Sequence, residues 1–232
     1  MAAHKKPAGV CVVLTMLLMV VGSAAASDIA FYVGAWNFDG WYDVSQFDDV
    51  QFIIGNAGAS FRDIQQFDDD QFNDFESWAS TNMDDSEVDV IWLNGCTPSV
   101  LYPFPHLEPD GSLAETWLDN GNMIINVGDW FGYVSYECGA RCAENGPNGA
   151  ANILNLPASI VVSADGTQLS RTAAGEEYMP TLDDDVATDR PIGLAAVTDP
   201  WEVAEVFASD TGDGDAARAD PVVIHNVDTG LT

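Results

Sequence analysis

The chain has 232 residues, which is enough for one domain with a sizeable core. Its 37 acidic residues outnumber the 7 lysines and arginines, so the formal net charge is −30 at pH 7. A surface of this sign repels nucleic acid and anionic lipid, and we expect neither as a partner. No lysine follows Lys6, which favours a saline extracellular setting and a simple solubility role about equally.

The first 26 residues have the pattern of a cleavable export signal. A basic segment over 4–6 precedes an apolar run over 10–21, and alanines over 24–26 provide a small-residue cleavage site. The apolar run is shorter than the ~20 residues needed to span a bilayer, so we expect cleavage rather than a retained anchor. The sequence therefore predicts a secreted or extracytoplasmic protein whose residues 27–232 form one domain without stable membrane insertion.

Short apolar runs bounded by glycine, asparagine or proline predict the strands of the first half. These runs are 29–33, 50–54, 88–93 and 123–127. Apolar residues at helical intervals over 62–80, with aspartates on the other side, predict an amphipathic helix with a candidate break near Asp69. A shorter helix is expected over 113–118. Alternating strands and helices favour a mostly parallel sheet, with 123–127 as a central strand buried on both faces.

In the C-terminal third the alternation of strands and helices stops, and we expect antiparallel additions to the sheet there. The sequence predicts a helical turn or two over 151–156, a strand over 159–163 and a polar connection over 181–191. Two further strands, 202–208 and 222–227, are joined by an acidic loop. That loop suggests calcium, but its spacing fails the EF-hand pattern, and a solvated hairpin loop is the preferred interpretation.

Three cysteines follow the export signal: Cys96, Cys138 and Cys142. Cys138 and Cys142 are close enough to form a local disulfide in an oxidising compartment. A metal site would need a fourth ligand at suitable spacing, so we expect no metal. Pairing of Cys138 with Cys142 leaves Cys96 as a third cysteine without a disulfide partner, and we interpret it as a small buried hydrophobic residue rather than a nucleophile.

A tight turn follows the strand over 123–127. Gly128 and Gly132 supply small residues at both ends of this turn, with Asp129, Trp130 and Phe131 between them. This spacing is what a sharp strand-to-helix elbow requires. Since ligands bind at the carboxyl edge of open α/β sheets, the turn marks the expected position of a binding site.

The order of strands, the loop at Asn94 and Gly95, and the elbow from Gly128 to Gly132 resemble the class I glutamine amidotransferase-like superfamily, closest to the ThuA-like (trehalose utilisation) branch. The resemblance implies an α/β fold in three layers. Its mostly parallel open sheet would be Rossmann-like or flavodoxin-like, with antiparallel additions in the C-terminal third. In the related branch a further strand follows the one that matches 222–227, which makes this chain a candidate for truncation at the C-terminus.

Compared with active members of this superfamily, the chain lacks the residues for glutaminase chemistry. In active relatives the elbow is Gly-x-Cys-x-Gly, and a downstream His and Glu activate the cysteine. Trp130 stands at the nucleophile position here, and no His-x-Glu pair follows it. An indole cannot attack a carbonyl, so the resemblance implies a degenerate active site.

Aromatic and polar residues after the predicted strands suggest a ligand rim. The candidates are Trp36, Trp41, Asn94, Asp129, Trp130 and Tyr133. A sugar ring needs stacking on one face and hydrogen bonds at its edge, and these side chains offer both. The competing interpretation is that each ring covers the end of the sheet. It is favoured for every ring except Trp130, which the turn is expected to point outward.

Three hypotheses follow for function. The first is an exported, catalytically degenerate module that binds a small polar ligand such as a carbohydrate, with no cofactor. The second is an active ThuA-like carbohydrate-processing enzyme that uses carboxylates, with or without a metal. Asp129, paired with Glu137 or Asp39, and Cys96 are its weak catalytic candidates. The third is a structural or interaction domain of a cell-surface protein. No oligomeric state is predicted.

Overall fold

The computed structural model describes residues 27–34, 49–94, 97–103, 111–127, 130–137, 140–212 and 216–229. They form an α/β structure that combines one parallel sheet with smaller antiparallel sheets. The proposed export signal lies outside the described residues. None of the helices within the described part of the chain has the length and apolar character needed to cross a bilayer.

The parallel sheet has four strands. They are β1 (Ile29–Val33), β2 (Ile64–Phe67), β3 (Val90–Asn94) and β5 (Met123–Val127). Their order is β2-β1-β3-β5, and each neighbouring pair is parallel. The strands predicted over 29–33, 88–93 and 123–127 are confirmed. The prediction that 123–127 is a central strand buried on both faces is wrong, because β5 is a half-buried edge strand of this sheet.

Helices cover both faces of the sheet. Ala30 and Tyr32 of β1 belong to one core cluster, together with residues of α2 (Phe72–Asn82) and α3 (Leu113–Asp119). Ile29 and Phe31 point to the opposite face, as alternation along a strand requires, and pack with residues of α1 (Asp49–Ala57). Each face of the sheet thus has its own apolar core.

The strand predicted over 50–54 is wrong, because these residues lie in α1. Val50, Ile53 and Ile54 have the i, i+3, i+4 spacing of one helical face, and all three pack in the same cluster. A run this short fits a strand or a helix equally well by periodicity. A single 3₁₀ turn, Gly58–Ser60, follows the helix.

The helix predicted over 62–80 is correct only in its second half. The chain forms β2 first, then a turn in which the Gln71 amide donates to the Asp68 carbonyl at 3.0 Å, and then α2. The candidate break near Asp69 is therefore confirmed. β2 was missed because Ile64 and Phe67 also fit a helical period.

The helix predicted over 113–118 is confirmed as α3. It begins at Ser112, whose hydroxyl accepts the Glu115 amide at 3.1 Å as an N-cap. The indole of Trp117, which is fully buried, donates to the Met123 carbonyl at 3.0 Å. This bond ties α3 to the start of β5, the strand that positions the site.

The elbow expected after β5 differs from the prediction. Residues 128 and 129 lie outside the described residues, and 131–133 form a turn that leads into strand β6 (Val134–Glu137) rather than a helix. β6 pairs in parallel with the short strand β4 (Thr97–Pro98) and antiparallel with β7 (Ala140–Glu144). Gly132 has φ +72°, a backbone conformation that residues with a side chain rarely adopt, so this turn requires glycine as predicted.

The C-terminal third contains the antiparallel additions that the sequence predicts. Its elements are α4 (Gly149–Ile153), β8 (Thr167–Arg171), α5 (Ala173–Tyr178), β9 (Asp185–Thr188), β10 (Ile192–Gly193), a 3₁₀ turn (Leu194–Ala196), β11 (Trp201–Val206), β12 (Ala208–Ser209), β13 (Arg218–Ala219) and β14 (Val222–Asn226). One sheet has the order β10-β13-β12-β8-β9, and β11 pairs with β14.

Several local predictions for this third can be compared with the structure. The strands predicted over 202–208 and 222–227 are confirmed as β11 and β14, which pair antiparallel. The simple hairpin loop expected between them is wrong, because the connection contains β12 and β13, which belong to another sheet. The helical turn over 151–156 is present as α4, two residues earlier. The strand over 159–163 is wrong, because it is reduced to a single bridge from Val161 to Ile192. The polar connection over 181–191 contains β9.

A buried carboxyl group lies at the amino end of the parallel sheet. The Asp89 side chain is fully buried, and its Oδ1 accepts the Asp28 amide at 2.6 Å. Its backbone amide donates to Asn122 Oδ1 at 3.0 Å. Burial raises the pKa of Asp89 from 3.8 to about 6. The hydrogen bond from Asp28 acts in the opposite direction but does not cancel the effect of burial.

We expect Asp89 to make the fold less stable as the pH rises. Between pH 3.8 and about 6 the folded state binds more protons than the unfolded chain, so the free energy of unfolding falls over that window, by about 2 kcal/mol. In Asp89→Asn, which keeps an acceptor for the Asp28 amide, this pH-dependent loss should disappear. Urea unfolding at pH 4 and pH 8 measures the difference, and Asp183→Asn at an exposed position is the control. If the free energy of unfolding of Asp89→Asn still falls from pH 4 to pH 8 by as much as in the wild type, Asp89 is not the source of the pH dependence.

Candidate functional site

A cavity of about 680 Å³ lies between edge strand β5 and the C-terminal third. This volume falls in the range of small-molecule sites. Its walls come from β5, the turn at Trp130, α4, and the segments around β9, β10, β11 and β14. The lining includes Ile124, Asn126, Trp130, Phe131, Leu154, Thr188, Asp189, Arg190, Trp201, Asp220 and Asn226.

The position of β5 at the edge of its sheet is what makes room for the cavity. Ile124 and Asn126 lie on the same face of β5 and line the cavity. Met123 and Ile125 pack on the opposite face, in the cluster that contains α1. The cavity thus lies between this face of β5 and the C-terminal third.

Trp201 anchors the far wall. It is the first residue of β11 and is 6% exposed. Its indole N–H donates to the Leu154 carbonyl at 2.7 Å, just after α4. It packs with Leu154, Leu156 and Ile160 in a core cluster that joins α4 to the β11–β14 pair. A single side chain thus serves as both core and cavity wall.

Trp130 forms another part of the wall, between two neighbours. Its ring lies 4.5 Å from the ring of Tyr133, at an interplanar angle of 88°. The guanidinium carbon of Arg190 lies 4.5 Å from the centroid of the Trp130 ring, which is a cation–π geometry. Trp130 is only 9% exposed, so the prediction that the turn points it outward to solvent is wrong. The indole lines the cavity instead.

Arg190 supplies the positive charge in the lining. Its Nη1 donates to the carboxylate of Asp165 and to the Asp189 carbonyl, the latter at 2.6 Å. The Arg190 side chain is 22% exposed and that of Asp165 is 77% exposed. The ion pair therefore lies at the mouth of the cavity, where solvent weakens it.

Two carboxyl groups also line the cavity, and their surroundings differ. The Thr188 hydroxyl donates to Oδ2 of Asp220 at 2.5 Å. Burial raises the pKa of Asp220, and the bond from Thr188 only partly opposes this effect. Asp189 is exposed, and its Oδ1 accepts the Gly166 amide at 2.6 Å. Asp220 is thus the group whose uncharged form is favoured.

The predicted ligand rim is only partly brought together. Asn94 ends β3, is buried, and accepts the Trp92 indole N–H at 3.2 Å. It does not line the cavity, and Tyr133 contributes through its contact with Trp130. Among the predicted rim residues that the structure describes, Trp130 is the one in the lining. Five candidates, Trp36, Trp41, Cys96, Asp129 and Cys138, lie outside the described residues, as does the side chain of Cys142.

Sequence reasoning missed the contribution of the C-terminal third. The polar connection predicted over 181–191 contains Thr188, Asp189 and Arg190, which line the cavity. Trp201 immediately precedes the strand predicted over 202–208, for which no part in a site was predicted. One signal was available. After Lys6 the chain has five strong bases, all of them arginines, so Arg190, between an aspartate and a proline, is one of few cations that an acidic ligand could meet.

The described residues contain no group of three or more His, Cys, Asp and Glu side chains placed to hold a metal ion. Comparison with protein-family models, with curated proteins and with solved structures finds no match to the chain. The cavity and its side chains are therefore the features that point to a function.

Proposed function

We propose that this chain is an exported binding module, and that it holds a small polar ligand such as a carbohydrate in the cavity beside β5. The observation that carries the proposal is the lining itself. Two indoles, Trp130 and Trp201, share about 680 Å³ with carboxyl, hydroxyl and guanidinium groups. A sugar offers apolar C–H faces and a polar edge, and it needs both kinds of partner.

We also propose kinship with the class I glutamine amidotransferase-like superfamily, in a form that has lost its nucleophile. One observation supports it. The strand order β2-β1-β3-β5 changes direction between β1 and β3, as in doubly wound, Rossmann-like sheets. Under this kinship Trp130 takes the place of the catalytic cysteine, and the turn that leads into β6 instead of a helix is a departure from the pattern of the superfamily.

A second candidate function is carbohydrate processing by carboxyl groups. Asp220 favours it, because burial raises its pKa and so favours the protonated form that a general acid needs. Asp189 lines the same cavity and would be the partner carboxylate. Hydrolysis or isomerisation of a bound sugar that is lost in Asp220→Asn would establish this activity. Binding without turnover in the wild type would exclude it for that sugar.

The binding function predicts a clear effect of Trp130→Ala. We expect the wild type to bind at least one member of a panel of sugars, and the variant to bind it about tenfold more weakly because the indole surface is lost. Isothermal titration calorimetry measures the affinity, and thermal unfolding shows whether the variant is folded. Trp130→Phe, which keeps a ring, should lose less.

Phe52→Ala provides the matched control. Phe52 is 61% exposed on α1, away from the cavity, so its removal should leave sugar affinity unchanged. Full affinity in Trp130→Ala, or a wild type that binds no sugar on the panel, would refute the proposed function.

A further inference from the structure

We propose that the cavity is specific for a ligand that carries a carboxylate, such as a uronic acid, and that Arg190 is the residue that binds this carboxylate. The inference rests on the proposed sugar-binding function and specifies its ligand class. It is carried by the placement of Arg190 between an indole in the lining and an exposed carboxylate of the chain itself.

The first step is the geometry of Arg190. The guanidinium is planar and matches a carboxylate with paired N–H donors, which an ammonium group does not. The guanidinium lies over the Trp130 ring and lines the cavity. A sugar that reaches Trp130 also reaches this cation.

The second step is the contact with Asp165. Nη1 of Arg190 already donates to one carboxylate oxygen, which comes from a turn residue whose side chain is 77% exposed. An ion pair with so exposed a partner contributes little to stability, so another carboxylate can replace it at small cost. Asp165 thus occupies the position that a ligand carboxylate would take.

The third step is how the other arginines are used. Arg62 donates through Nε and Nη2 to the Asp28 carboxylate, at the amino end of the parallel sheet. Arg171 donates to the Leu182 carbonyl at 2.6 Å and also pairs with Asp184. Arg218 is exposed on β13 and is outside the lining. Among the arginines whose side chains the structure describes, Arg190 is the one that lines the cavity.

The acidic groups of the site do not rule out an anionic ligand. Asp189 is exposed and its Oδ1 accepts the Gly166 amide, while Oδ2 of Asp220 accepts the Thr188 hydroxyl and burial raises the pKa of this carboxyl group. The net charge of −30 repels an anion at long range, but at about 0.15 M salt this field decays over about 8 Å. The contact with Arg190 acts at a shorter distance than that.

The test compares acidic sugars with their neutral parents. The full chain is titrated calorimetrically with glucuronate against glucose, and with galacturonate against galactose, at about 0.15 M salt. We expect at least one uronate to bind about tenfold more tightly than its parent sugar, as a charge-assisted hydrogen bond provides. In Arg190→Gln the ratio should fall to near one, and Arg190→Lys should keep part of it because the charge remains.

Two further variants give independent readouts. Asp165→Asn removes the competing carboxylate, so affinity for the uronate should rise by about two- to threefold while affinity for the neutral sugar stays the same. Arg218→Gln removes the same charge outside the cavity and should leave the ratio unchanged. Because Asp165 is at an exposed turn, its variant tests the inference even if substitution of Arg190 disturbs folding.

The possible failures can be told apart. Equal affinity for uronates and neutral sugars, or a preference that survives Arg190→Gln, overturns the inference while sugar binding stands. An affinity for uronates that does not rise in Asp165→Asn also counts against it. A wild type that binds neither kind of sugar overturns the proposed function itself.

Discussion

Gly149→Ala is expected to lower the free energy of unfolding by about 3–5 kcal/mol, because position 149 has no room for a methyl group. A Cβ there would overlap the carbonyl oxygen and carbon of Gly132, and would lie 3.1 Å from the Tyr133 nitrogen. These are backbone atoms, which cannot rotate away as a side chain does. The turn or α4 has to move.

The effect of Gly149→Ala should extend to the candidate site. The turn that carries Trp130 is fixed from the same side, since the Asn145 amide donates to the Tyr133 carbonyl at 2.7 Å and Asn145 Nδ2 donates to the Gly132 carbonyl at 3.1 Å. A shift of Gly132 therefore displaces Trp130. We expect Gly149→Ala to weaken sugar binding as well as stability.

Gly55→Ala is the matched control for this substitution. Gly55 lies inside α1, and an added Cβ would meet no atom within 4 Å. Alanine at this site should stabilise the fold by up to about 1 kcal/mol, because it favours helix more than glycine does. Urea unfolding measures both variants. A loss in Gly149→Ala below about 1 kcal/mol would show that the two backbones separate easily.

Gly132 and Gly149 show what the sequence could and could not predict. Gly132 was singled out by its spacing after a strand, and its φ of +72° bears out the need for glycine. The reason proposed for it, an elbow leading into a helix, was wrong. The close approach to Gly149 joins two segments that have no shared local signature, so a sequence pattern cannot predict it.

The same distinction holds across the fold. The runs over 29–33, 88–93 and 123–127 were predictable because apolar residues bounded by turn formers leave few alternatives. The run over 50–54 was not, since its period fits α1 as well as a strand. The apolar run over 123–127 predicted a central strand, but β5 lies at the edge of the sheet. The position of a strand in a sheet depends on which segments pair with it, and a local sequence pattern does not reveal this.

The candidate site was the least predictable part. Trp130 was identified from its own turn, but its partner Arg190 lies far along the chain and reaches it only after the C-terminal third packs against β5. The raised pKa of Asp220 likewise depends on burial that its sequence neighbours do not reveal. Local patterns locate turns and strands, whereas the cavity is a product of long-range packing.

Trp201→Ala is expected to cost about 3–5 kcal/mol of stability and also to abolish sugar binding. The indole packs with Leu154, Leu156 and Ile160, so its removal leaves a void in the core cluster that supports α4. It also leaves the Leu154 carbonyl without its 2.7 Å donor in a buried position. The cavity would lose one of its two indole walls.

Two conservative variants separate these effects. Trp201→Phe keeps a ring but loses the N–H donor, so we expect a cost of about 1–2 kcal/mol with most of the sugar affinity retained. Trp92→Phe removes a comparable indole donor, the one that bonds Asn94 at 3.2 Å in β3, and should lower stability without changing affinity. Urea unfolding and calorimetric titration on all three proteins provide both readouts. If Trp201→Ala unfolds at nearly the wild-type urea concentration, the packing of β11 against α4 is weaker than the contacts of Trp201 indicate, and the cavity has no rigid wall on that side.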